Sequence, residues 1–172
     1  MTRLMQRFGG CERGAAAVEF GMIAPILILF HFGSVEFVQA WEAHRRVAHV
    51  AAALADLTAQ KRAVTQAELD DILKAGELMI APFPSDQLSV RVSSFVADGS
   101  GTVKRVWTVS RNWKTAGEAT LPKDYLAGGE SLIVANVAFK HKALFGMVMS
   151  PTVMMEKNAY RRPRLASEVA KL

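Results

Sequence analysis

Hydrophobic residues are distributed very unevenly along the chain, and the densest run lies near the N-terminus. From Ala15 to Val35 the sequence is AAAVEFGMIAPILILFHFGSV, 21 residues in which Glu19 alone is ionised at neutral pH. As a helix with a rise of about 1.5 Å per residue, this run would extend roughly 31 Å, the thickness of a bilayer core. The pattern therefore predicts a membrane-spanning helix, to which we assign residues 15–38.

The free energy of insertion supports this assignment. Twelve Val, Ile, Leu or Phe residues lie between positions 15 and 38. Together they favour insertion by about 4 to 7 kcal/mol, whereas one acidic residue costs about 3 kcal/mol at the centre of a bilayer. Glu19 lies near the start of the run, where its cost is smaller. The segment is able to span a membrane.

Three other interpretations of the same run remain open at this point. It could be the buried helix of a soluble protein, or a membrane anchor with no further role. It could also be a secretory signal in which Arg3, Arg7 and Arg13 form the basic region and cleavage follows Ala40. Against the signal, the run is longer than the usual apolar region, and the helical pattern continues past Ala40 without a break.

A second, amphipathic stretch follows the apolar run directly. Val47, Val50, Leu54 and Leu57 recur at spacings of three and four, with charged residues between them. We therefore expect one helix from about residue 15 to about residue 60, whose second part, residues 39–62, is an amphipathic continuation of the first.

A shorter helix is predicted at Gln66–Ile80. Thr65 is a suitable N-cap, and Glu68 three residues later completes a capping box. Pro82 and Pro84 end the pattern. Its expected apolar face consists of Leu69, Ile72, Leu73 and Leu78.

After Pro84 the period of the hydrophobic pattern changes from 3.6 to 2, which indicates strands. Leu88–Val92 alternates apolar and polar residues, and Asp98–Gly101 is a turn sequence leading to a returning strand at Val103–Trp113. A loop at 114–129 precedes two further strands, Ser131–Lys140 and Thr152–Tyr160. The predicted class is α+β: a long N-terminal helix, a second short helix and a small antiparallel sheet of about four strands, in a domain at 63–172.

Composition narrows the range of functions. Of 172 residues, 51% are hydrophobic, the net charge is +5 and there is one cysteine, so neither disorder nor an internal disulfide is expected. The chain has no nucleophile, phosphate-binding or dinucleotide motif, and His44 and His49 have the wrong spacing for helical metal ligands. We expect no enzyme activity, no cofactor, no metal and no nucleic-acid binding. The basic run Arg161–Arg164 is interpreted as a solvated end, with lipid headgroups or an acidic subunit as alternative partners.

The residues around Glu19 carry a more specific pattern. A short basic leader ends at Gly14, and the sequence ERGAAAVEF then leads into the apolar run, with Glu19 five residues after the glycine. This arrangement resembles the class III signal sequence of type IV pilins and pseudopilins. It is most similar to the TadE/TadF group of minor pilins, which belong to the tight-adherence (Tad) pilus system. The resemblance is dense over residues 12–40.

The resemblance implies a role for four residues. Residues 1–14 would be the leader, which a prepilin peptidase removes by cutting between Gly14 and Ala15 on the cytoplasmic side. Glu19 would be the fifth residue of the mature chain and would meet the α-amine of a neighbouring subunit. Phe20 stands where major Tad pilins commonly have tyrosine, and this chain is also much longer than they are, so the resemblance is to a minor pilin.

The function implied is assembly of an adhesive Tad pilus by a single-pass subunit of the inner (cytoplasmic) membrane. Its N-terminus would be cytoplasmic and its C-terminal domain periplasmic, and the subunit could be incorporated into the pilus. Expected partners are the prepilin peptidase, other Tad pilins and pseudopilins, the assembly platform and the lipid bilayer. The alternative function is a soluble periplasmic binding module, released by signal peptidase after Ala40.

Overall fold

The structure is a computed structural model that describes residues 12–113, 121, 125–146 and 150–172, with side chains from Gly14 onward. Within these residues, two α-helices and six strands follow in the order α1, β1, α2, β2, β3, β4, β5, β6, and a short 3-10 helix at Ser85–Gln87 precedes β2. Helix α1 is Glu12–Ala59 and helix α2 is Gln66–Met79; the strands are Ala63–Val64, Leu88–Ala97, Val103–Arg111, Ser131–Lys142, Thr152–Arg161 and Ala170–Lys171. The predicted α+β class is confirmed. The basic leader lies almost wholly outside the described residues.

Helix α1 is a single helix of 48 residues, as the merged apolar and amphipathic patterns predicted. It continues through Pro25, which removes one backbone donor but is tolerated in long apolar helices. The first part is exposed, and from Glu36 onward one face is buried. The buried positions recur every three or four residues: Glu36, Ala40, Ala43, Val47, Val50, Ala51, Leu54, Ala55, Thr58 and Ala59. Leu57 was expected on this face but is 41% exposed, because it lies at the margin of the face, about 20° around the helix beyond the buried Val50.

The buried face of α1 packs against an antiparallel sheet of order β3-β2-β4-β5. The alternation predicted for β2 is confirmed, since Leu88, Val90 and Val92 are buried toward α1. Strand β4 runs two residues further than predicted and β5 one residue further. Strand β3 instead ends at Arg111, because Asn112 adopts a positive φ of 55°, which cannot continue a strand.

The β2–β3 turn forms where the sequence predicted it. The carboxylate of Asp98 accepts hydrogen bonds from the Ser100 hydroxyl and from the backbone amides of Ser100 and Thr102. These bonds, the Ser100 hydroxyl foremost, hold the pKa of Asp98 below its usual value. The predicted loop at 114–129 lies partly outside the described residues; within it, Leu126 is buried against the outer face of the sheet.

Helix α2 begins as predicted. Thr65 is the N-cap, and its hydroxyl and the Glu68 carboxylate form a complete capping box. Leu69, Ile72 and Leu73 are buried, but Leu78 is 73% exposed, so its placement on the apolar face was wrong. Leu78 comes nine residues, or two and a half turns, after Leu69, so it lies on the opposite side of the helix. Gly76 completes the buried row instead.

The C-terminal segment folds back along the domain, contrary to the interpretation of Arg161–Arg164 as a simple solvated end. The side chain of Arg162 pairs with Glu130 at 2.7 Å, and that of Arg164 pairs with Asp56 on α1. Beyond them Val169 is buried, its carbonyl accepts a 2.8 Å hydrogen bond from the Trp107 indole, and β6 pairs in parallel with β1. A two-residue pair of strands carries no periodicity, so the sequence pattern could not reveal it.

The close approach of α2 to α1 depends on Gly76. A Cβ at this position would lie 3.3 Å from atoms of both Leu54 and Val50. We expect Gly76→Leu to lower the free energy of unfolding by about 1–3 kcal/mol, because the added side chain must displace this packing. Denaturant unfolding of the detergent-solubilised chain measures it. Lys74→Leu is the matched control, since position 74 is exposed on the same helix; equal effects of the two substitutions would contradict the packing argument.

Candidate functional site

The four residues singled out by the sequence lie on the exposed N-terminal part of α1. Gly14, Ala15, Glu19 and Phe20 are all exposed, and a Cβ at Gly14 would meet nothing within 4 Å. Glu19 has no hydrogen-bond or ion-pair partner among the described residues, and the Phe20 side chain is 69% exposed. The fold therefore places these residues together on a helix end that is open to other molecules.

The apolar side chains that follow are exposed on all sides of the helix. Nine large hydrophobic residues between positions 18 and 30 are each more than half exposed. Moving a side chain of this kind from water into an apolar environment is favourable by about 1.5–3 kcal/mol. For the nine side chains together this free energy is about 14–27 kcal/mol, which is not gained if the helix stays in water. That exceeds the typical net stability of a domain, about 5–15 kcal/mol. A helix that is apolar all round requires an apolar surrounding, and by length and composition α1 is able to cross a membrane.

The junction between this exposed part and the folded domain is built around Glu36. Its side chain is 1% exposed, and its Oε1 accepts a 2.9 Å hydrogen bond from the backbone amide of Phe145, in the β4–β5 loop. One turn earlier, the rings of Phe32 and Phe145 meet edge to face with centroids 4.6 Å apart. The hydrophobic pattern does not reveal this contact, because it joins positions 109 residues apart. The signal available in the sequence is the acidic Glu36 at the end of an apolar run.

An apolar groove of about 420 Å³ runs beside the junction, between α1 and the edge strand β5. Phe37 and Trp41 line it from the helix, and Met154 lines it from the strand. All three side chains are more than half exposed. Hydrophobic residues thus continue from the exposed helix onto the side of the domain.

The histidines do not form a metal site in the described part of the chain, where no three His, Cys, Asp or Glu residues cluster. His44 stacks on Trp41, and His31 lies on the exposed helix beside Phe32. His141 is buried between Phe83 and Phe139, and this burial lowers its pKa.

Comparison with known proteins gives one match. The family model described as TadE-like protein matches residues 14–56, which is a quarter of the chain and lies entirely within α1. No curated protein and no solved structure matches. The predicted similarity to TadE-like pilins is therefore confirmed over this segment, which begins at Gly14 and includes Glu19 and the apolar run. With the candidate spanning helix, it supports classification as a pilus-related membrane protein.

The Glu36–Phe145 hydrogen bond is expected to hold the β4–β5 loop on α1. Glu36→Ala would remove the carboxylate acceptor of the part-buried hydrogen bond from the Phe145 amide, at a cost of about 1–3 kcal/mol. Hydrogen exchange at residues 142–146 should accelerate accordingly. Glu42→Ala is the control, because Glu42 is exposed and its pair with Arg46 is worth about 0.3–0.5 kcal/mol. Unchanged exchange in Glu36→Ala would show that this bond does not hold the loop.

Proposed function

We propose that the chain is a minor pilin, or pseudopilin, that takes part in assembly of a Tad-type adhesive pilus. The observation that carries this proposal is the overlap of the family match with an exposed apolar helix. The TadE-like match covers residues 14–56, and the part of this segment that precedes Glu36 is largely exposed and apolar. An exposed apolar helix that remains attached after maturation is typical of a membrane-anchored assembly subunit and is not expected in a freely soluble domain.

In this proposal residues 15–38 cross the inner membrane and residues 39–62 connect them to the domain at 63–172, which faces the periplasm. The length of the exposed part supports such a span. From Ala15 to Val35 the helix rises by about 30 Å, which matches the hydrocarbon core. The domain begins to bury the helix at Glu36, so its folded part lies just outside that thickness.

Maturation would occur between Gly14 and Ala15, on the cytoplasmic side. The open surroundings of Gly14 are compatible with access by a prepilin peptidase. Cleavage creates a positively charged α-amine on Ala15, which precedes Glu19 by four residues, or about 6 Å along the helix axis.

Glu19 would then provide the register contact between subunits. A carboxylate in an apolar layer needs a cationic partner, and the α-amine of a neighbouring subunit supplies one. Glu19 has no partner of its own among the described residues, and Phe20 beside it offers an exposed ring for helix packing. The partners in this account are other Tad pilins and pseudopilins and the assembly platform.

The alternative, a soluble module released after Ala40, has less support. Ala40 is buried within continuous helix, where α1 packs on the sheet. Release there would also remove Phe32 and Glu36, and with them the contacts that hold the β4–β5 loop.

The processing step is tested by Gly14→Arg. The substitution has room in the structure, so the fold and insertion should persist while the full-length precursor accumulates in membranes, as seen by electrophoretic mobility. Gly10→Arg adds the same charge to the leader away from the cleavage site and should mature normally. Normal maturation of Gly14→Arg would refute cleavage at this position.

The register contact is tested by Glu19→Ala. Removing a carboxylate from the span should leave membrane insertion intact or improve it, since one acidic residue costs up to about 3 kcal/mol there. Pilus formation and surface attachment should fall sharply. Glu42→Ala removes an exposed carboxylate from the same helix and should leave both at wild-type level. If Glu19→Ala cells form pili as well as the control, the role assigned to Glu19 is wrong.

A further inference from the structure

The β4–β5 loop extends along α1 toward the exposed apolar segment. The loop joins β4, which ends at Lys142, to β5, which begins at Thr152, and its described residues are 143–146, Ser150 and Pro151. Residues 143–146 are the part that contacts the helix. Two contacts fix them on the helix: the hydrogen bond from the Phe145 amide to Glu36 and the edge-to-face packing of Phe145 on Phe32. The loop therefore has a defined height along the helix.

That height lies at the boundary of the proposed span. If the hydrocarbon core begins at Ala15, about 30 Å of helix at about 1.5 Å per residue ends near Val35. Phe32 is within the last turn before this limit. The ring of Phe145, with its centroid 4.6 Å from that of Phe32, shares the same layer.

The exposed chemistry of the loop fits that layer. The side chains of Leu144 and Phe145 are 59% and 45% exposed although both are apolar, and neither is needed to cover the core of the domain. At the base of the loop, Lys140 and Lys142 are exposed. Exposed apolar side chains next to lysines are typical of surfaces that lie in a bilayer interface, where the lysine ammonium groups reach the phosphates.

We propose that the β4–β5 loop is a second membrane contact, which inserts Leu144 and Phe145 into the lipid interface beside α1. The inference rests on the membrane anchoring in the proposed function. Lipid is the occupant that the geometry favours, because the patch is continuous with the exposed apolar surface of α1 at Phe32. The loop also covers the Glu36 carboxylate at the edge of the hydrocarbon.

A second contact would constrain the orientation of the domain. A single helix leaves the domain free to rotate about the helix axis and to tilt with it. An inserted loop on one side of α1 fixes which face of the sheet is turned toward the membrane, and it presents the groove between α1 and β5 at a constant height above the lipid.

Lipid contact is tested by fluorescence quenching in the full-length chain, with Cys11→Ser removing the native cysteine. Single cysteines replace Leu144, Leu172 or Phe30, each is labelled with bimane, and the protein is reconstituted into phosphatidylethanolamine–phosphatidylglycerol vesicles. Leu172 is the matched control: it is an exposed leucine whose backbone pairs with Val64, beyond the far end of α1. Phe30 is the reference within the span. The quenchers are brominated lipids and aqueous iodide.

We expect the label at position 144 to lose fluorescence with brominated lipids, most strongly when the bromines are near the headgroups. The label at position 30 should respond to deeper bromines, and that at 172 to iodide only. If position 30 responds to lipid while position 144 behaves like 172, the loop inference is wrong and the anchoring stands. Protection of position 144 from both quenchers would indicate a protein partner and also overturn it. A label at position 30 that responds only to iodide would refute the anchoring itself.

Discussion

The structure depends on helix α1, whose two parts have different surroundings although its backbone is helical throughout. Toward the N-terminus every side of α1 is apolar and exposed, whereas beyond Glu36 one side is apolar and packs on the sheet while the other carries charges. Because the backbone is continuous, the position and rotation of the first part are set by the packing of the second. The two parts belong to one helix, so α1 itself is the mechanical connection between the N-terminal part and the sheet.

The domain reinforces this helix at several points along its length. The β4–β5 loop binds it at Phe32 and Glu36, α2 packs against it through Gly76, and the C-terminal segment pairs Arg164 with Asp56 near its end. The TadE-like match ends at residue 56, so it covers the exposed apolar part and most of the packed part of the helix but none of the sheet. In our proposal the shared part of these proteins is the assembly element, and the sheet carries what is particular to this subunit.

The sequence was sufficient for features that depend on local periodicity. The change from an all-round apolar run to a one-sided pattern predicted the length of α1, and the Thr65–Glu68 capping box fixed the start of α2. Pattern reasoning failed where position depends on distant residues. Leu57 and Leu78 were assigned to buried faces, but Leu57 lies at the margin of its face and Leu78 on the opposite side of its helix. The β1–β6 pair and the Glu36–Phe145 bond join segments about 107 and 109 residues apart. The residues proposed for processing and register came from a resemblance of spacing, which the family match supports over residues 14–56.

The most direct test of the account is the N-terminal sequence of the wild-type protein isolated from cells, determined together with its fraction. The account predicts a mature chain that begins at Ala15, lacks Cys11 and is recovered with the membranes. A chain that begins at Trp41 and is recovered in the soluble periplasmic fraction would contradict it, because α1 would then have been cut where it enters the domain.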